Sequence, residues 1–469
     1  MPPAGGSAAR VGAPSPFLTR VMTRRRESCF RTPSRAILDL AFLGNSHIMS
    51  SPPVLFHDVA CPFCGMICDD LEVERAADGL KVRRSGCGRA ASAFERKLPP
   101  SSPMIAGKDV PFAEAVAEAA RLIGSASQPL YGGLATDVEG MRAVMALAER
   151  TGGVVDHAAS GAQYRNFKVL QSVGWTMSTL TEVRNRADLV IIAGTDVQAL
   201  HPRFFERIVA PAESMFGVTP KDRTVVVIGE GLEKAAKAAR VGKVVSLACK
   251  PTEVGEVVGV LRARLRGFSL DKVKFGGVTL AEIDTVAELC RAAQYGVVVW
   301  APAAFDFPHA ELTVDQLAGL VKDLNPTTRF AGLTLGGAEG ATTAASVATW
   351  QSGYPLRVSY ASGAAEFDPA RNDIARMLKA GEGDLLVWVA SYSPDFVPPR
   401  TDLPTIVLGT PGLKPPKGTQ VFVPVGTPGV DHAGRLIRVD SVVSLPLKNL
   451  GRAALPSVAD VVSAIEAAL

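Results

Sequence analysis

The 469-residue chain carries 50 Lys and Arg against 46 Asp and Glu, a net charge of +4 with the signs interspersed, and so gives no support for nucleic-acid binding as a main role. A length prior of about 150 residues per domain allows two to four domains, and 47% hydrophobic residues are ample for real cores. No apolar run reaches the roughly 18 residues of a membrane span, and seven cysteines without a secretory pattern point to a reducing, cytoplasmic compartment rather than a disulfide framework.

Residues 1–48 are rich in Pro, Gly, Ser and Arg, with a basic triplet at Arg24–Arg26. Asp39 interrupts their one apolar piece, which argues against a twin-arginine export signal. They read as a disordered extension, or as a segment upstream of a true start at Met49. Residues 54–98 then read as a small β unit. Leu55–Val59 and the alternating Asp70–Glu74 are strands, Asp78-Gly79 is a hairpin turn, Leu80–Val82 returns, and Cys87 opens a helix to Lys97. Pro99-Pro100 and Ser101-Ser102 mark a boundary.

Beyond it the chain becomes regular α/β. Phe112–Ile123 and Val138–Thr151 are amphipathic helices around a short strand at Pro129–Gly133. Ala187–Gly194 and Arg223–Gly229 are continuous apolar runs ending in glycine, the mark of parallel strands covered on both faces. A second stretch carries helices over 280–293 and 311–324, strands at 296–300, 329–331, 384–389, 405–408 and 421–424, and a last helix over 457–469. The expected fold class is α/β: a small four-cysteine domain over 54–98 and two doubly wound domains over 99–270 and 271–469, with interleaving of the two left open.

Four of the seven cysteines fall inside 27 residues, in Cys61-Pro-Phe-Cys64-Gly-Met-Ile-Cys68-Asp-Asp and Ser-Gly-Cys87-Gly-Arg. A tight three-cysteine loop can aim three thiolates at one point, and a fourth returning from a hairpin closes a tetrahedral set. A [4Fe-4S] cluster or a structural zinc could use it, and three cysteines crowded in one loop favour the cluster. Four buried thiols without metal are the plainer alternative. Glycine turns after strands, at Gly132-Gly133, Gly194, Gly229-Glu230-Gly231 and Gly336-Gly337, could cradle phosphates through backbone N–H groups, though none is a dinucleotide or Walker motif. His201-Pro202-Arg203 sits in a loop beyond a strand's carboxyl end, where ligands of open α/β sheets tend to bind.

The cysteine stretch, together with Asn185-Arg-Ala-Asp-Leu-Val190, Ala199-x-His-Pro-Arg203, Asp222-Arg-Thr224 and Thr349-Trp-Gln-x-Gly-Tyr-Pro355, resembles the B subunit of formylmethanofuran dehydrogenase over about residues 54 to 450. The resemblance implies a fold like that of molybdopterin and tungstopterin formate dehydrogenases, without their C-terminal β-barrel. It implies a [4Fe-4S] cluster on Cys61, Cys64, Cys68 and Cys87, and a pterin cleft drawing on Gly132, Gly133, Gly194, His201, Arg203, Gly336 and Gly337. In the redox enzymes a cysteine or selenocysteine binds the metal soon after the strand that here reads Leu130-Tyr-Gly-Gly133, a position that falls on Val138. The family's Cys-His-Gly stretch is replaced by Ala158-Ala-Ser-Gly-Ala-Gln163. Valine cannot ligate tungsten or molybdenum, so a bound pterin metal is not expected and no catalytic residue is assigned.

A related bacterial system in C1 oxidation, a formyltransferase/hydrolase complex, passes a formyl group from tetrahydromethanopterin to a methanofuran analogue, and its amidohydrolase-like A subunit releases formate. The resemblance thus implies a structural B subunit with A, C and D partners. The alternatives are an active tungsto- or molybdopterin redox subunit and, in another class, a zinc-containing interaction protein.

Overall fold

The computed structural model of the chain describes residues 53–271 and 273–469, so the expectations for residues 1–48 lie outside the described part. The small unit is a three-stranded antiparallel sheet of Val54–Val59, Leu71–Ala76 and Gly79–Arg84. Its hairpin turns at Gly79, whose φ of +123° favours a residue without a Cβ. The cysteine loop connects the first two strands. Cys87 caps the helix Gly88–Phe94, which stops short of the expected Lys97, ahead of two prolines whose preceding residue is barred from helical geometry.

Two parallel-rich sheets organise the rest. In the smaller, Lys243–Leu247, Thr224–Ile228, Leu189–Ala193, Tyr295–Trp300 and Arg329–Thr334 lie side by side, all parallel. The larger has nine strands, in the order Glu366–Phe367, Val358–Ser359, Val154–Val155, Pro129–Ala135, Leu385–Ala390, Thr405–Gly409, Thr419–Pro424, Met104–Ile105, Lys108–Asp109. Neither sheet closes into a barrel. Their central strands are buried end to end, as in Leu189–Ala193 and Leu385–Ala390, because helices cover both faces.

The sheets do not divide at the sequence boundary of 270/271. Tyr295–Trp300, from the expected second domain, pairs with Leu189–Ala193 from the first, in the register Val297↔Val190 and Val298↔Ile191. The larger sheet uses residues 104–155 and 358–424, and the smaller uses 189–334. Sequence grammar repeats in both halves, but hydrogen-bond register decides membership. Val155 and Val358 are paired neighbours, so the chain leaves the larger sheet and returns to it at adjacent points.

Helices Phe112–Ser125, Val138–Thr151, Ala341–Ser352 and Val458–Ala468 contribute to one core on the larger sheet. Asp137 caps the second of these, its side chain accepting from the Gly140 amide, and left-handed Gly152 ends it. On the smaller sheet, helices Val254–Leu265, Leu280–Ala292 and Glu311–Leu324 build one core. The opposite core contains Val190, Ile192, Val225 and Val297 together with Cys61, Cys64, Cys68, Leu71 and Phe94. The cysteine unit therefore covers one face of the smaller sheet. No helix among the described residues is long and apolar enough to cross a membrane.

Candidate functional site

The cysteine loop is folded on itself: the Cys61 amide donates to the Cys68 carbonyl at 2.8 Å, and the Ile67 amide to the Cys64 carbonyl at 3.2 Å. Cys61, Cys64 and Cys68 are buried, Cys87 is half-buried, and all four are free thiols. Burial pushes the Cys61 thiol well up, and the fields of Cys64, Cys68 and Cys87 add to that push. Burial also lifts Cys64 to about 11. At Cys68 burial raises the thiol against the nearby charges of Arg207 and Arg203. The Ala90 amide points at the Cys87 sulfur, 3.5 Å away.

Amide and guanidinium donors aimed at clustered sulfurs are what a thiolate-ligated cluster or zinc needs around it. In donor chemistry the residues fit such a group. Among the described residues, however, no set of three or more His, Cys, Asp or Glu side chains is gathered closely enough to hold a metal ion as it stands. The thiols are neighbours, but they do not form a closed cage.

The loop's outer edge is held by the rest of the chain. A Cβ on Gly65 would lie 2.1 Å from the Gly336 carbonyl oxygen, and Gly337 would meet the Gly65 Cα in the same way at 3.2 Å. Backbone against backbone leaves room only for glycine there. The Gly65 carbonyl accepts from the Val439 amide at 2.8 Å.

The seven residues assigned to a pterin cleft are not gathered into one. Gly132 and Gly133 line a cleft of about 360 Å³ with Asp156, His157, Arg357 and Trp388. Gly336 and Gly337 line a separate cleft of the same size beside Gln163 and Asn166. Gly194, at φ +59°, lies where a Cβ would strike the Phe305 ring, so it serves packing. His201 is fully buried with both ring nitrogens unpartnered, and burial, with Arg89 nearby, drops its pKa to about 3. Arg203 faces the cysteine unit, pairing with Asp70 and Glu206. Val138 is the first residue of its helix and is packed into the core of the larger sheet. A valine there offers no donor atom, so the residues present do not fit a protein-ligated pterin metal.

Other polar groups at the site carry no motif. Asp156 follows the strand Val154–Val155. Burial lifts its carboxyl to about 7 despite Arg357 at 3.6 Å, and one of its oxygens has no partner. Glu339, at φ +51°, is also lifted to about 7 by burial, against a Ser393 amide and Arg96. The neighbouring His157 accepts the Ala159 amide at Nδ1 and donates from Nε2 to the Glu339 carbonyl, which fixes the neutral tautomer. Of these, only Asp156 has a readable signal in the sequence, its place just past a strand's carboxyl end.

No family model matches the chain. It is 30% identical over 402 residues to the B subunit of the tungsten-containing formylmethanofuran dehydrogenase 2 of Methanocaldococcus jannaschii, covering 82% of this chain and 91% of that protein. The chain belongs to the B-subunit family of formylmethanofuran dehydrogenase. Another relative, the B subunit of the formyltransferase/hydrolase complex Fhc of Methylorubrum extorquens, is 29% identical over 324 residues, covering 69% of this chain and 84% of the relative. The crystal structure of that organism's formyltransferase/hydrolase complex with methylofuran contains a chain that superposes with a TM-score of 0.66 at 26% identity, covering 78% of this chain and 98% of that one. The α/β architecture is thus one already seen inside such a complex.

Proposed function

We propose that this chain is the structural B subunit of a formyltransferase/hydrolase complex, assembled in the cytoplasm with A, C and D subunits, in which formyl groups leave tetrahydromethanopterin and end as formate. One observation carries the reading: Val138, at the position of the metal ligand in the resembling redox enzymes, is a core residue at a capped helix start. Tungsten and molybdenum need a soft or anionic donor there, and this chain supplies a methyl-bearing wall. The four thiols remain available for a [4Fe-4S] cluster or a zinc, on the strength of their shared field and the donors around them. Either group would tie the loop to the hairpin, and the chain's own contribution is burial, hydrogen bonds to sulfur and nearby guanidinium charge.

The tungsten-containing relatives favour a second reading, in which the chain is an active redox subunit. Anaerobic purification of the tagged chain with its partners separates the two. The structural reading expects an amidohydrolase-like subunit to co-purify, formate to be released from a formylated carrier, and tungsten and molybdenum to be far below stoichiometric. Stoichiometric tungsten or molybdenum would overturn it.

A further inference from the structure

We infer that Arg203 and Arg207 are positioning residues that hold the two separated arms of the four-thiol set in register from the neighbouring α/β unit. Three thiols precede Asp70 in the chain, and the fourth follows Ser85. Arg203 spans that gap. Its Nη1 and Nη2 donate to the two carboxylate oxygens of Asp70 at 2.7 and 2.8 Å, and Nη1 also donates to the Ser85 carbonyl. One planar guanidinium thus ties the residue two past Cys68 to the residue two before Cys87, a bidentate geometry lysine cannot copy. Arg207 supports the same arm, donating to Asp69 at 2.8 Å and lying 3.1 Å from Asp70.

Both arginines come from the segment after strand Leu189–Ala193, where Phe205–Val209 forms a π-helical turn, a backbone feature concentrated at functional positions. Their side chains are 7% and 19% exposed, so both charges are committed to these contacts. The tie is reciprocal: Arg89, two residues past Cys87, donates back to the Ala199 and Leu200 carbonyls at 2.9 and 3.0 Å. The contacts that hold the two thiol arms in register are thus the same ones that dock the cysteine unit onto the segment after Leu189–Ala193.

The retention part of the test rests on the proposal that the four thiols hold a metal. The full complex is purified anaerobically with wild-type chain, with R203Q/R207Q, with D69N, and with R376Q as a control, whose exposed pairing with Glu382 lies in another part of the chain. Iron and zinc loss to a chelator is followed, and iodoacetamide labelling of each cysteine is mapped by mass spectrometry on metal-stripped complex. The double variant is expected to lose metal and to label at Cys68 and Cys87 about tenfold faster or more, the scale on which supporting residues act at metal sites. D69N, which disturbs only the outer contact, should shift both rates in the same direction by less, and it keeps the test alive should the double variant not fold. Wild-type retention and wild-type labelling in folded R203Q/R207Q, or in D69N alone if the double variant does not fold, would overturn the inference. A metal-free wild type would sink the metal reading alone, because the labelling rates still decide whether the arginines hold the loop.

Discussion

Val138 is the residue on which the proposed structural role rests. Its side chain is 7% exposed and shares a core with Met141, Val144 and Leu147. Val138→Cys restores a thiol in name only: it is expected to fold, at a cost of about 1 kcal/mol, to resist iodoacetamide until the chain is unfolded, and to gain no tungsten. Rapid labelling of the native variant would show an open cleft instead. Glu339 and His157 make an opposed pair. With its pKa raised to about 7, Glu339 stabilises the fold in its protonated form, fully below its ordinary 4.5, and loses that contribution as pH rises through 7. His157, lowered to about 4, contributes above its ordinary 6.5 and loses it as pH falls through 4. Between pH 4.5 and 6.5 the two slopes offset. Glu339→Gln removes one of them, so the variant should lose more stability than wild type as pH drops from 6.5 to 4.5, measured by urea unfolding. Neither group is legible in the sequence, because their shifts arise from burial by segments far apart in the chain.

Among the elements, those with local signals can be read directly. Helix Val138–Thr151 is bounded as its pattern indicates, since Asp137 and Gly152 cap it. The capping box at Ser457 likewise sets the start of the last helix. The π turn at Phe205–Val209 has no such signal, and pairing of strands from either side of 270/271, the interleaving left open by the sequence, is non-local and has none either. The cysteine loop is legible as a cluster, but its partner, the Gly336-Gly337 turn, reads as a phosphate cradle. Gly65→Ala tests that contact. With backbone 2.1 Å from the added carbon, the loop must lift, at about 1–3 kcal/mol, seen as a lower melting temperature and faster cysteine labelling. Cys64→Ala tests the loop's cargo: wild-type complex prepared without air is expected to be brown and bleached by dithionite, and the variant to lose that colour and its iron. Unchanged iron would refute ligation by this loop.

At the scale of the whole molecule, the smaller sheet is inserted between strands Val154–Val155 and Val358–Ser359 of the larger one, and one of its faces packs against the cysteine unit. Resemblance in separated segments is enough to place the chain in its family, and similarity over 98% of a solved chain agrees. What sequence could not supply is which surfaces meet. Destabilising the cysteine unit is expected to weaken packing on the smaller sheet as well, because Val190 and Val297 share its core. Hydrogen exchange comparing Gly65→Ala with wild type should show lost protection in strand Leu189–Ala193 and not in Leu385–Ala390.

The hydrogen bond from the Val439 amide to the Gly65 carbonyl also bears on how the protein is born. The cysteines leave the ribosome first, whereas the backbone that seals their loop is made much later. Strands 189–334 can pair among themselves during synthesis, but the larger sheet must wait for Thr419–Pro424. For most of translation the thiols are therefore open to oxygen and to adventitious metal. Metal can reach the thiols before the loop is sealed, and so can oxidant, so slow or oxidising expression should yield folded but empty protein.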